Sequence, residues 1–554
     1  MVKTKKETKF GEYFNLPNPN LRAYFGRVVS GQPEEYRTTF YKGRSLKEIL
    51  SGWQKILEKC PDVTKFPSLL TFENDLAKKV GPLSIMKPLA ERMADIDSYY
   101  EGILLPSKPI SREAIGRAWA EWGKFGGLRL RDERHVVEEM KLSTNSGSPY
   151  FAKRRSVVEK TLPISWSGLY NLSETATMWY TEDKLSGIPD CEATIGSDRR
   201  TWRQCAVLGW RGQEGGPSSD DVKQRVVWMF PFAINIREHM AYQPLVEALQ
   251  HKGGVPAWIG MEAVDEEITQ LFDTKQPGDL IVVTDFSKFD QHFNPHLSFA
   301  AKSLLTMLFS GDSRFQEWVK TVFDIKYGIP LAYDWGKIRY GWHGMASGSA
   351  GTNADETLAH RCLQHEAALN AGKQLNPHSQ CLGDDGILSY PGITVDDVVK
   401  TYSSHGQVVN HDKQYASTTD CVYLRRWHHT DYRHDGICVG VYSTYRALGR
   451  LAEQERYYDP EVWGPKAVAL RQLSIIENCK WHPAREQFAE YCMKGDRYRL
   501  GLDIPGFLDN IASESKKLIE YMPDFLGYTK SLGVKDPTKG IENWWIVKFL
   551  KSKA

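Results

Sequence analysis

Two acidic pairs, each at the end of an apolar strand-like run, constrain this 554-residue chain more than any other feature. One lies in Cys381-Leu-Gly-Asp-Asp-Gly-Ile-Leu388, where Asp-Gly between apolar runs signals a β-hairpin. A hairpin tip holds Asp384 and Asp385 out of the core, because two adjacent like charges are costly to bury unless a cation neutralises them. The other pair lies in Leu280-Ile-Val-Val-Thr-Asp-Phe-Ser-Lys-Phe-Asp290, where a β-branched run stops at Asp285. If the two strands are sheet neighbours, Asp285 and Asp384 converge. Hard oxygen ligands for two divalent cations about 4 Å apart are what two-metal phosphoryl transfer requires.

The length suits about three or four ordinary domains, or one large enzyme with subdomains around a cleft. With a net charge of only +2, a polyanion site must come from a local concentration of Lys and Arg. Nine cysteines without C-x-x-C spacing read as free thiols in a reducing compartment. There is no apolar run near 18 residues, and Met1-Val-Lys-Thr-Lys-Lys lacks the apolar core of a signal peptide, so the expectation is a soluble, intracellular protein with no membrane partner.

The first forty residues read as a polar, aromatic-dotted arm. Ser45-Leu-Lys-Glu48 is a capping box opening a helix whose apolar face is Leu46, Ile49, Leu50, Trp53, Ile56 and Leu57. A second helix is expected around Ser111 to Trp122. The small-residue loop Ser143 to Pro149, followed by Tyr150, Phe151, Lys153, Arg154 and Arg155, offers backbone N–H groups to phosphate and rings to bases, or is a polar surface turn. Positive charge gathers between Ser197 and Pro231, at Arg199, Arg200, Arg203, Arg211, Lys223 and Arg225. Lys223 and Arg225, two apart at the start of an apolar strand, share one face and suit a triphosphate; a solvated basic face is the alternative. His296 to Phe309 reads as a buried helix, and Gly344 to Asn353 as a small-residue loop feeding a helix that runs to Gly372. Beyond Tyr445 the pattern is mainly helical. His428, His429, His434 and Cys438 do not read as zinc ligands, since adjacent histidines point to opposite faces of a strand and no second cysteine pair is near.

The ordered set of a strand-end D-x4-D, an S-G-x3-T before a helix and a G-D-D in a hairpin resembles the palm of viral RNA-dependent RNA polymerases. The likeness covers roughly Ser143 to Trp427. In detail, Asp-Phe-Ser-Lys-Phe-Asp-Gln-His-Phe293 and Ser-Gly-Ser-Ala-Gly-Thr-Asn-Ala-Asp-Glu-Thr357 look most like the picobirnavirus polymerases, with partitivirus enzymes next. The resemblance implies an α/β (α+β) right-hand fold with fingers, thumb and a palm built on an antiparallel sheet. Its expected parts are a bridge from fingers to thumb over 1–70, fingers over 71–277 with 292–340 partly returning to them, a palm over 278–291 and 341–430, and a helical thumb and tail over 431–554.

The resemblance also implies roles. Asp285 and Asp384 hold two Mg²⁺ ions, replaceable by Mn²⁺, with Asp385 an auxiliary ligand or an orienting residue. Lys223, Arg225 and Arg211 bind the triphosphate. Lys413 is the general acid for pyrophosphate. Asp290, Ser347 and Thr352 read the ribose hydroxyls. Ser146, Gly147, Pro149 and Tyr150 lie at the template entry, and Arg425 and Arg426 in a primer-grip hairpin within Val422-Tyr-Leu-Arg-Arg-Trp427. The expected partners are NTPs, single- and double-stranded RNA and a viral capsid protein, for a monomer working inside a virion and in the host cytoplasm.

One position departs from the family. Many members carry an asparagine four residues after the threonine of S-G-x3-T, where this chain has Glu356, while Asn353 directly follows Thr352. The expectation favours Asn353 for the 2′-hydroxyl, because a second carboxylate beside Asp290 would repel it. The rival enzyme is a reverse transcriptase, but the polar Asp290 is a poor steric wall against a 2′-hydroxyl. The rival from another class is a catalytically inactive RNA-binding particle protein, against which all the metal-binding carboxylates stand.

Overall fold

Apolar spacing and caps explain the N-terminal third. In the computed structural model, which describes residues 13–14, 21–22, 24–26, 35–170, 190–197, 199–251, 253–456, 458, 461–522 and 536–554, Ser45 and Glu48 form the full capping box of the helix Leu46–Leu57. Ile49, Trp53 and Leu57 on that helix are fully buried. Their partners come from the other end of the chain, since the helix shares a core with Leu448, Leu470, Phe488 and Leu550, and Trp53 Nε1 donates to Thr444 Oγ1 at 2.7 Å. The strand Tyr36–Arg37 pairs antiparallel with Glu453–Gln454. Nearer the start, Tyr13, Phe14, Leu21 and Phe25 bury against Phe151, Val207, Ile338 and Tyr340. The arm thus packs on two regions far apart in sequence; Met1 to Lys6 lie outside the described residues.

Two sheets frame the site. In the first, the spatial order is Lys337–Arg339, Leu331–Asp334, β1 (Ala206–Gln213) and β2 (Lys223–Met229). β1 and β2 are antiparallel, with Arg211 opposite Arg225. The chain leaves β2 through Pro231 into α1 (Phe232–Leu249). The second sheet is antiparallel and contains β3 (Ile281–Thr284), β4 (Gln380–Leu382), β5 (Asp385–Leu388) and β6 (Tyr415–Ser417), in the spatial order β4, β5, β3, β6.

Period-two alternation divides the side chains of the second sheet between two layers. Val282 and Leu388 pack into a helical core with Ala118, Leu304 and Leu358, the last of these on α2 (Thr352–Asn370). Ile281 and Ile387 pack on the other face against Val264 and Ile268 of the helix Met261–Thr274, and against Tyr423. Burial on both faces is why these strands read as nearly unbroken apolar runs. From Thr444 onward the described elements are helices apart from Glu453–Gln454. The cysteines among the described residues with known surroundings are buried free thiols. No described helix is long and apolar enough to cross a membrane.

Candidate active site

Asp285 and the Asp384 turn lie at the same end of the second sheet. Register pairs Gly386 with Thr284, so Asp285, the next residue after β3, lies at the same end as the turn between β4 and β5. That turn needs Gly383, whose φ is +57°. α2 clamps it from beneath: the Gly383 N–H donates to Thr357 Oγ1 at 2.9 Å, and the Gly383 carbonyl accepts from His360 Nδ1 at 2.8 Å. Asp384 stands at the tip, and desolvation by the surrounding walls together with the Asp290 charge pushes its carboxyl above the ordinary range. Asp285 is exposed, with its backbone fixed by Gln414, which accepts from its N–H at 2.8 Å and donates to its carbonyl at 2.9 Å.

Asp385 corrects the expectation that the hairpin tip keeps both acids out of the protein. Its carboxylate turns inward and accepts from the Leu424 N–H at 2.7 Å. Burial, then the neighbouring Asp384, push this carboxyl up to about 7. Among the described residues no three acidic, His or Cys side chains form a metal cage by themselves. Mg²⁺ is commonly held by one or two carboxylates with substrate phosphates and water completing the shell. Asp285 and Asp384 suit that donor set, being hard oxygens at one sheet end, with an Asp384 charge whose repulsion from Asp290 a cation relieves.

A cavity of about 460 Å³ opens beside Asp384, lined among others by Lys223, Arg225, Lys288, Asp290, Lys87 and Tyr99. Lys223 and Arg225 reach it from one face of β2, as their spacing predicts. Arg225 and Arg211 sit opposite each other across β2 and β1, where like charges repel, and each turns to its own carboxylate. Arg225 pairs with Asp290 at 3.2 Å and Arg211 with Glu455 at 3.3 Å. Arg211 therefore does not line the cavity. Lys87, Tyr99 and Lys288 escaped the sequence reading. Lys288 carried one signal, its place between Asp285 and Asp290; Lys87 and Tyr99 carried none, since only tertiary packing brings them here.

Asp290 is 9% exposed. Beside it lies Glu356 on α2, also buried, whose carboxyl is held well above the carboxylate range by burial and by Asp290. Because burial and Asp290 both push the Glu356 carboxyl up, its neutral form is favoured, which weakens the repulsion argument that favoured Asn353. Asn353 Oδ1 instead accepts from Trp258 Nε1 at 2.7 Å. The Ser347 hydroxyl donates to the Val226 carbonyl at 3.1 Å, and the Thr352 hydroxyl to the Ser349 carbonyl at 3.1 Å.

The remaining predicted residues divide. Lys413 is exposed in the turn His411–Lys413, just before Gln414, and does not line the cavity. Ser146, Gly147 and Pro149 lie in a turn closed by Ser146 N–H to Ala152 carbonyl at 2.7 Å. The Tyr150 hydroxyl donates to the Lys160 carbonyl at 2.9 Å. Phe151 is not a stacking surface, because it is buried against Phe14 and Tyr24. Arg425 sits at the hairpin turn with φ +62°. Arg426 corrects the RNA-binding expectation: it is buried and makes a bidentate pair with Asp265 at 2.8 and 2.9 Å. That pair ties the hairpin to the helix Met261–Thr274 and engages the guanidinium inside the protein.

Comparison with known proteins gives a consistent picture. The family model described as "Viral RNA-dependent RNA polymerase" matches residues 218–434, which include Lys223, Asp285, Asp290 and Asp384. A human picobirnavirus protein described as "Potential RNA-dependent RNA polymerase" is 59% identical over 551 residues, covering 98% of each chain. The crystal structure of the RNA-dependent RNA polymerase of a human picobirnavirus aligns with a TM-score of 0.90 at 59% identity, over 98% of this chain and 99% of that one. The insertion-loop deletion mutant of such an enzyme aligns with a TM-score of 0.88 at 57% identity, again over 98% and 99%.

Proposed function

The chain belongs to the viral RNA-dependent RNA polymerases, and from that premise we propose that it transfers ribonucleotides onto an RNA 3′ end under template direction, releasing pyrophosphate. The observation that carries this reading is the cavity in which Lys223, Arg225, Asp290 and Asp384 meet. Basic groups on one wall suit a triphosphate, acids on the other suit hard cations, and a protonatable buried pair suits a sugar hydroxyl.

Asp285 and Asp384 hold Mg²⁺, two ions in the full complex, with Mn²⁺ able to replace it. When bound, the cations supply Lewis-acid stabilisation of the charge on the attacking 3′-oxygen and on the leaving pyrophosphate. Asp385 orients the turn. Lys223 and Arg225 bind the triphosphate from β2, with Arg211 joining once released from Glu455. Asp290, with Glu356 behind it, reads the ribose, and Ser347, Thr352 and Asn353 border it. Lys413 gives a proton to pyrophosphate. The 143–150 turn and Arg425 guide RNA.

In this reading the second sheet and α2 form the palm (278–291 and 341–430), 71–277 with part of 292–340 the fingers, and 431–554 the thumb and tail. The N-terminal region over 1–70 bridges fingers and thumb, a reading supported by the packing of Leu46–Leu57 on Leu448, Leu470, Phe488 and Leu550. The biological role is replication and transcription of a double-stranded RNA genome by a monomer inside a particle, with the capsid protein as partner. Purified protein given labelled ribonucleotides and a single-stranded template, with and without an annealed primer, tests the activity. Product with Mg²⁺ and none with EDTA is expected; template-independent addition or no product would overturn it.

A further inference from the structure

Two loops dock on one short piece of chain, the junction of β2 and α1. From one side, the Ser146 carbonyl accepts from the Phe232 N–H at 2.8 Å. From the other, the Trp228 N–H donates to the Ser347 carbonyl at 3.2 Å, and Gly348 lies so close that a Cβ there would fall 1.6 Å from the Trp228 carbonyl oxygen. The loop 347–351 is built from Ser, Gly and Ala, so it has few side chains with which to anchor itself.

Its anchor is Glu238 on α1, which is 0% exposed. The Glu238 carboxylate accepts from the Ser349 hydroxyl, from the Ala350 N–H at 3.2 Å and from Asn235 Nδ2 at 3.1 Å. Asn235 Oδ1 in turn accepts from Arg154 Nη2 at 2.7 Å, and its amide reaches the Gly348 carbonyl at 3.4 Å. Arg154 lies just past the turn that Ser146 closes, and its N–H donates to the Thr144 carbonyl at 2.9 Å. A buried carboxylate is tolerated when donors surround it; here two of the donors come from the loop, and the third leads to the opposite turn. The loop then runs into α2, whose Glu356 meets Asp290 and whose Thr357 and His360 clamp Gly383.

We infer that Glu238 is a positioning residue for nucleotide binding, fixing the 347–351 loop and, through Asn235 and Arg154, tying it to the 143–155 turn. The inference rests on the polymerase reading, and failure of that reading is recognised separately by a wild-type protein that incorporates no ribonucleotide. It is tested by single-ribonucleotide incorporation at saturating RNA with full-length Glu238→Ala, Glu238→Gln and Ser349→Ala. Glu238→Ala should raise the KM for NTP about tenfold or more, with kcat changed less than about threefold, because three donors lose their acceptor. Ser349→Ala, which leaves the buried carboxylate in place, should raise KM about threefold and carries the test if Glu238→Ala does not fold. Glu238→Gln, keeping one acceptor oxygen, should fall between. The double variant should be no worse than Glu238→Ala alone, since both act through one contact. Unchanged KM in folded Ser349→Ala and Glu238→Gln would overturn the inference, as would additive effects, or a loss of RNA affinity with normal nucleotide kinetics.

Discussion

The Asp385 carboxylate accepts a hydrogen bond from the Leu424 backbone N–H at 2.7 Å, across 39 positions of sequence. The hairpin that presents Asp384 is therefore tied to the turn of the neighbouring hairpin Asp420–His429, where Leu424 and Arg425 have φ of +50° and +62°. A backbone in that region needs support from its surroundings. Asp385→Ala should destabilise the protein by about 1–3 kcal/mol, as expected for an orphaned buried N–H. Asp385→Asn keeps an acceptor and removes a carboxyl already pushed up to about 7, so it should cost less than about 1 kcal/mol. Denaturant titration of the two variants checks this; equal losses would show that charge rather than the hydrogen bond is what matters.

Lys223 lines the cavity from the same face of β2 as Arg225. Lys223→Ala should raise the KM for NTP or slow incorporation, while the salt slope of RNA binding, which reflects many phosphate contacts, should stay nearly unchanged. Steady-state kinetics and RNA affinity at several salt concentrations decide it. A collapse of RNA affinity with normal nucleotide kinetics would move β2 to the template channel.

Asp290 is bonded on one side by Arg225 and on the other by Glu356. Asp290→Ala should lower the preference for ribo- over deoxyribonucleotides by about a hundredfold or more, since a site built to hydrogen-bond a hydroxyl rejects an analogue lacking it. Glu356→Gln should retain most of that preference, because an amide can donate to Asp290 as a protonated acid does. Competition between labelled ribo- and deoxyribonucleotides measures both, and an unchanged ratio in Asp290→Ala would remove it from sugar reading.

Glu121 on the helix Arg112–Trp122 binds Arg361 of α2 at 2.8 Å through both oxygens, and His365 at 3.0 Å. Burial alone would lift its carboxyl, but Arg361 and His365 outweigh burial and hold it at about 2. A carboxyl lower in the folded than in the unfolded state stabilises above its unfolded value, near 4.3, and loses that stabilisation as pH falls towards 2. At pH 7 Glu121→Gln should cost about 3 kcal/mol or less, below the range for a fully buried pair because the Glu121 side chain is 25% exposed. The gap from wild type should shrink across pH 4 to 2, which urea melts over that range will read. A constant gap would contradict the linkage.

Much of this site was legible because local chemistry dictates it. The Ser45 and Glu48 cap, the strand-end Asp285, the Asp384 turn and the shared face of Lys223 and Arg225 each follow from neighbours within a few positions. What escaped the sequence depends on contacts between distant segments. Nothing local in Arg426 says that Asp265 will bury it, nor in Asp385 that Leu424 will turn it inward. The preference for Asn353 over Glu356 treated both carboxyls as charged, whereas burial and the Asp290 charge push the Glu356 carboxyl up. Nothing local marks Glu238 either, since its contacts come from the distant 347–351 loop packed over it.

Asp384 is expected to act on the reaction and not on the fold, because it stands at the tip of a turn whose geometry is set by Gly383, Thr357 and His360. The direct measurement is the rate of ribonucleotide incorporation by Asp384→Ala, taken alongside its thermal unfolding and RNA affinity. Incorporation should fall by about a thousandfold or more, as expected when an electrostatic contribution to the transition state is removed. Melting temperature and RNA affinity should stay near wild type. Near-normal product from a well-folded Asp384→Ala protein would contradict the assignment of the metal site and, with it, the catalytic role of the cavity.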